Sequence, residues 1–216
     1  SPNNPSGTVC KNLQEIAEIA KKHKLIILSD EIYSQLTFDD QYKSISNYYP
    51  EGTIVSTGLS KWCGAGGWRL GFFAIPDQIK ELKNSLKILC SESFTSVSAP
   101  IQYAAIEAYN GDHSIYLNNV KKILSFTANY AYENLKSNAI NVTKPEGGFY
   151  IFPEFNNAKF SSSSEMCKDI LSKTGVALLP GSDFGMDSSR MLARLSYTDF
   201  DGANFLKNTL GSKKLD

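Results

Sequence analysis

Apolar positions recur at Leu13, Ile16, Ala17 and Ala20, the spacing of one helix face, and predict a helix running through Lys24. Directly after it, Leu25-Ile26-Ile27-Leu28 is a continuous apolar run of the kind that forms a buried strand, ending at Asp30. Two further runs, Thr53 to Ser56 and Phe72 to Ile75, predict strands on either side of a glycine-rich loop. Helical spacing returns at Ile79, Leu82, Leu86 and Leu89, and again from Pro100 to Tyr109. A long helix carries Ile115, Val120, Leu124, Ala128, Ala131 and Leu135, with Asp112 or Ser114 placed to cap it. Beyond Asn138 the pattern shortens: a strand over Gly148 to Phe152, a helix over Glu165 to Lys173, strands near Val176 to Leu179 and Met191 to Tyr197, and a last helix near Phe200 to Leu210. The serines at 161 to 164 read as a solvated loop.

This order of elements is that of an α/β fold. Residues 1–111 form one flank of a sheet covered by helices, 112–138 a helix that connects two domains, and 139–216 a small α+β domain. Ser1 to Gly7 reads SPNNPSG, a dense turn and a poor place for a folded unit to begin, so a strand and more are expected ahead of it.

Composition narrows the function classes. Apolar residues are 42% and charged residues 20% of the 216, the profile of an ordinary soluble protein, with no run long enough to cross a membrane. Acidic and basic residues balance at 22 each, so no net field points to nucleic acid or a membrane surface. Four scattered cysteines and two histidines suggest neither a metal site nor a disulfide framework, and reduced thiols in a cytoplasmic protein are expected. Only Arg69, Arg190 and Arg194 among the basic residues are arginine, and in so lysine-rich a chain each raises the question of whether its bidentate fork is needed.

The chemistry gathers in STGLSKWCGAGGWRLG. A lysine that forms a Schiff base needs a neutral amine, which burial and a nearby cation favour. Lys61 follows an apolar strand, and Arg69 lies in the same glycine-rich loop. Asp30, at the end of what reads as a buried strand, calls for a cationic partner such as a pyridinium nitrogen. Tyr33 is placed to donate its hydroxyl to a phenolic oxygen. Singly, each has a plainer reading: a surface lysine, a turn-capping acid, a core aromatic.

Together, N-P-S-G (Asn4 to Gly7), D-E-I-Y (Asp30 to Tyr33), S-K (Ser60-Lys61), G-W-R-L-G (Gly67 to Gly71) and R-L-S-Y (Arg194 to Tyr197) resemble, in order and over nearly the whole chain, the signature of class I aminotransferases of fold type I, which depend on pyridoxal 5'-phosphate (PLP). The resemblance implies that residues 1–111 are the C-terminal part of the PLP-binding large domain. It implies Lys61 as the Schiff-base lysine and proton carrier, Asp30 at the pyridinium, Tyr33 at the phenolic oxygen and Arg69 at the phosphate. Asn4 is implied to contact the phenolic oxygen and the substrate carboxylate, and Arg194 to grip that α-carboxylate. Arg190 matches nothing and is expected to be solvated. Transamination between an amino acid and a 2-oxo acid follows, in a homodimer when full length. Members of this family are about twice as long, with half of the phosphate cup in the other half of the chain, so the 216 residues alone are expected to bind PLP poorly. The serine that many members place three residues before the lysine is Gly58 here, with Ser60 a possible substitute, and no arginine of the dicarboxylate-specific kind lies in Ser91 to Ala99. A PLP-dependent lyase or synthase on the same scaffold, or an aminotransferase-like sensor domain of a transcription regulator, are the alternatives.

Overall fold

The computed structural model describes residues 1–39, 42–156 and 158–211. It divides into two compact units: Ser1 with Cys10–Leu117, and Pro2–Val9 with Asn118 onward.

In the first unit, helix α1 (Leu13–Lys22) buries Ala17 and Ala20 against Ile45 and Tyr49, with Leu13, Ile27 and Tyr48 around them. Glu15 in its first turn and Lys21 and Lys22 in its last complement the helix dipole. It stops earlier than the apolar spacing predicts because Lys24 takes a left-handed φ of 51°, which lets the Leu25 amide return to the Ala20 carbonyl at 2.8 Å. Strand β1 (Ile27–Asp30) is accordingly shorter than the apolar run. It is also not a buried strand: Leu25, Ile26 and Leu28 are 55%, 53% and 65% exposed. Strand β1 is an edge strand, hydrogen-bonded only to β2 (Thr53–Gly58) among the described residues, so half of its surroundings are open.

Between β1 and β2 the described residues make three short 3-10 turns, around which Leu36, Ile45 and Tyr49 are buried. Strands β1 and β2 are parallel, with Asp30 opposite Ser56; β3 (Gly71–Ala74) is antiparallel to β2, with Gly71 opposite Gly58. Helices α2 (Lys80–Phe94) and α3 (Ala99–Asn110) follow. Helix α4 (Ser114–Leu135) begins where the Asp112 carboxylate accepts the Ser114 amide at 2.9 Å, an interaction that holds that carboxyl below its usual value. Of the two candidate caps, Asp112 is the one used.

The second unit pairs β4 (Ile140–Asn141) with β6 (Glu154–Phe155), and sets β8 (Ala193–Ser196) between β5 (Tyr150–Ile151) and β7 (Leu179–Pro180), all antiparallel. Its core joins Met166 and Cys167 of α5 (Ser163–Thr174) to Met191 and Ala193. The serine tract is not a solvated loop but the start of α5. Ser162 accepts the Glu165 amide, Glu165 accepts the Ser161 amide in return, and Ser163 is fully buried. The last helix is α6 (Gly202–Gly211). Among the described residues no helix is long and apolar enough to cross a membrane.

Candidate active site

Asp30, Tyr33, Lys61 and Arg69 all belong to the first unit and to one end of its sheet. Because β1 and β2 are parallel and β3 antiparallel, the C-terminal ends of the first two and the N-terminal end of the third lie together. Asp30 closes β1 and Tyr33 follows it; Lys61 follows β2 and Arg69 precedes β3. The carboxyl end of strands is where open α/β sheets bind ligands.

The turn that carries Lys61 is fixed from below. The Leu59 amide donates to the Leu70 carbonyl at 3.2 Å, the Ala65 amide to the Leu59 carbonyl at 3.2 Å, and Leu59, Trp62 and Leu70 are buried. Lys61 Nζ lies 5.7 Å from the centroid of the buried Tyr33 ring, so these two groups are brought together as a cation–π pair.

Asp30 is exposed at the open edge of the three-stranded sheet. Its Oδ1 accepts the Ile32 amide at 3.1 Å, an Asx turn that orients the carboxylate. The buried acid is its neighbour Glu31, which accepts hydroxyl bonds from Ser44 (2.6 Å) and Ser29 (3.1 Å). Tyr42 also bonds Glu31, and burial first, then the Glu31 charge, raises its phenol above the ordinary value. Periodicity carries no sign of this cluster, since its hydroxyls come from separated positions of a non-repeating segment.

Arg69 is exposed, takes a left-handed φ of 54°, and donates from Nη1 to the Gly66 carbonyl at 2.6 Å. A non-glycine residue held there costs about 1–2 kcal/mol, and such strain collects at ligand sites. A Cβ on Gly67 would meet nothing within 4 Å, so that glycine is not required by crowding. Replacing Arg69 with Gly is expected to leave the stability of the cofactor-free protein within about 1 kcal/mol, strain relief offsetting the lost hydrogen bond, while phosphate affinity falls at least about tenfold. Urea unfolding beside a PLP titration reads both, and a stability loss with unchanged PLP affinity would oppose the assignment.

Gly58 is required by packing. A Cβ there would sit 2.7 Å from the Leu70 carbonyl oxygen and 3.0 Å from the Gly71 Cα, where β2 and β3 close together. Substituting Gly58→Ser is therefore expected to destabilise by about 1–3 kcal/mol without tightening phosphate binding, as measured by denaturant midpoint and PLP titration. A tighter PLP complex at unchanged stability would contradict this.

Asn4 and Arg194 belong to the second unit, and the structure brings them together: Arg194 Nη1 donates to Asn4 Oδ1 at 2.7 Å. The Asn4 segment is tied down by Gly7, whose carbonyl accepts the Glu146 amide at 2.8 Å and the Gly147 amide at 3.1 Å. Gly7 has a φ of 71°, and a Cβ there would lie 2.8 Å from both Pro145 Cβ and the Tyr150 carbonyl oxygen. That is the physical need for glycine in N-P-S-G.

Arg190 is not merely solvated. It grips Glu154 through Nε (2.8 Å) and Nη2 (2.7 Å), and this hydrogen bonding holds the Glu154 carboxyl below its usual value. Arg194 contrasts with it. Among the described residues no carboxylate pairs with Arg194; its neighbours are a neutral amide and the rings of Tyr150 and Phe184, 4.1 and 5.0 Å from Cζ. One arginine is charge-compensated by a carboxylate within the fold, and the other, among the described residues, is not. Tyr150 and Phe184 were not among the residues expected from sequence, although the G-F-Y run and the turn before G-M-D contain them.

The sequence profile of the family described as aminotransferase class I and II matches residues 1–204. A putative aminotransferase of Bacillus subtilis, YugH, is 37% identical over 91% of this chain and 50% of its own length. A probable N-acetyl-LL-diaminopimelate aminotransferase of the same organism is 39% identical over 85% of this chain and 46% of its own. The crystal structure of an aromatic aminotransferase from Pyrococcus horikoshii superposes with a TM-score of 0.82 at 31% identity, covering 100% of this chain and 60% of that one. The chain thus spans about half the length of the curated relatives it matches.

Proposed function

Since this chain belongs to the class I and II aminotransferases, we propose that the protein carrying it moves an amino group from an amino acid to a 2-oxo acid, with pyridoxal 5'-phosphate as cofactor. The observation that carries the reading is the convergence of Asp30, Tyr33, Lys61 and Arg69 on one end of one sheet. The donor set fits that cofactor: an amine for its aldehyde carbon, a carboxylate for its ring nitrogen, a phenol for its phenolic oxygen, and an exposed guanidinium for its phosphate. When bound, PLP supplies a conjugated electron sink for charge that develops at the substrate α-carbon.

The chain's own residues do the rest. Lys61 Nζ holds the cofactor and then moves the proton at the substrate α-carbon. Asp30, oriented by its Asx turn, keeps the ring nitrogen protonated. Tyr33 donates its hydroxyl to the phenolic oxygen, and Arg69 binds the phosphate. Asn4 and Arg194 of the second unit bind the substrate α-carboxylate, and Asn4 also contacts the phenolic oxygen. With no arginine between Ser91 and Ala99, a neutral amino acid is favoured over a dicarboxylic donor. The intact protein is a cytoplasmic homodimer in this reading, and Ile88, Leu89 and Tyr103, 61–75% exposed in the first unit, support a covered surface there.

The test is product analysis of the intact protein supplied with PLP, L-alanine and 2-oxoglutarate, then with a panel of other donors. Glutamate and the new 2-oxo acid are expected in equal amounts. Ammonia released over many turnovers without any acceptor, beyond the single equivalent of 2-oxo acid that the cofactor itself can generate by taking up the amino group, would instead identify a lyase on the same scaffold.

A further inference from the structure

We propose that Tyr150 and Phe184 are positioning residues that hold the guanidinium of Arg194 in its binding orientation before any ligand arrives; the inference rests on the reading of Arg194 as the carboxylate-binding group. The placement follows from strand register. Tyr150 on β5 lies opposite Ser196 on β8, so Arg194, two residues away, is its diagonal neighbour on the same face. Its Cζ sits 4.1 Å from the Tyr150 ring centroid. Phe184 comes from the other side of β8. Leu179 of β7 is opposite Arg194, and the 3-10 turn Gly181–Phe184 that follows carries the Phe184 ring to 5.0 Å from Cζ.

Both rings are themselves held. Tyr150 is buried and packs on Phe149 at 4.6 Å, and Phe184 meets the ring of Phe152 at 5.7 Å, nearly edge-on. The turn before Phe184 is pressed against the residue that leads into β8: the Gly181 amide donates to the Leu192 carbonyl at 2.7 Å, and a Cβ on Gly181 would lie 2.6 Å from Leu192 Cβ. A ring face attracts the cation without occupying the N–H groups in the guanidinium plane, and Asn4 Oδ1 takes only one of them. The fork is therefore ordered by aromatic faces while its remaining donors stay available. An unclamped arginine would lose its rotamer freedom on binding, so the clamp should appear in affinity rather than in chemistry.

The test uses the intact, PLP-loaded protein and whichever of L-alanine, L-aspartate and L-phenylalanine it turns over fastest, with the Kd of the unreactive carboxylate 3-phenylpropionate measured by calorimetry. Tyr150→Leu and Phe184→Leu should each raise KM and this Kd about five- to tenfold with little change in kcat. Tyr150→Phe, which keeps the ring, should recover most of the lost affinity. Phe184 is only half-buried, so its variant serves if Tyr150→Leu does not fold. Arg194→Leu in the same series separates the two levels. If it weakens carboxylate binding while the Leu variants at 150 and 184 do not, the clamp is wrong; if it leaves binding unchanged, the reading of Arg194 itself is wrong. A Tyr150→Phe variant as weak as Tyr150→Leu, or a fall confined to kcat, also overturns the clamp.

Discussion

Replacing Lys61 with either Ala or Arg in the intact protein is expected to reduce amino transfer by at least about a thousandfold, the scale of losing a nucleophilic and proton-carrying group. The pair of substitutions separates two roles. Lys61 Nζ lies 5.7 Å from the Tyr33 ring centroid, and Arg would place a cation against the same ring. Arg cannot present a neutral amine, because its guanidinium stays protonated. If the residue works only as a charge, Arg should retain most of the activity; if it works as an amine, both variants should be equally inactive. The fold should survive, since the turn is held by Leu59, Trp62 and Leu70 rather than by the lysine. Initial rates with PLP in excess, with circular dichroism as the folding control, decide between them. An active Lys61→Arg enzyme would remove the lysine from the chemistry.

The second large effect is expected at Arg194. A hydrogen bond to a charged partner contributes about 1.5–3 kcal/mol, so Arg194→Leu, which loses a two-bond fork, should lower kcat/KM by about two to four orders of magnitude. Arg194→Lys keeps the charge but not the planar fork and should fall between, at about a tenfold to hundredfold loss. The PLP content of both variants should match the unsubstituted protein, because no cofactor contact is assigned to Arg194. Arg190→Leu is the informative contrast. Its guanidinium is already occupied by Glu154, so its loss should lower stability only modestly, with KM unchanged. A rise in KM at Arg190 with none at Arg194 would mean the two arginines have been assigned the wrong way round.

What could be read from the sequence depended on how local its cause was. The helices were legible because α1 through α5 follow apolar spacing set within a few residues, and β2 and β3 because each is a short apolar run beside glycine. The exposure of the first strand has a non-local cause. Leu25 to Leu28 has the composition of a buried strand, but its edge position and a left-handed Lys24 leave most of it exposed. The serine tract was misread in the opposite direction, because composition suggested solvent while the S-x-x-E spacing from Ser162 to Glu165 in fact caps α5. Among the candidate residues, the pairings of Lys61 with Tyr33 and of Arg194 with Asn4 are separated by 28 and 190 positions along the chain, and only the fold displays them. The Glu31 hydroxyl cluster, the Glu154 partner of Arg190 and the two rings beside Arg194 lay beyond sequence reasoning for the same reason. No spacing rule connects them.

The central claim is that Lys61 is the residue that holds the cofactor. The most direct measurement is borohydride reduction of the intact protein with PLP, followed by peptide mass mapping. Reduction should fix one pyridoxyl group per chain, on the peptide containing Ser60-Lys61-Trp62. A stoichiometric label on any other lysine, with Lys61 unmodified, would contradict the account.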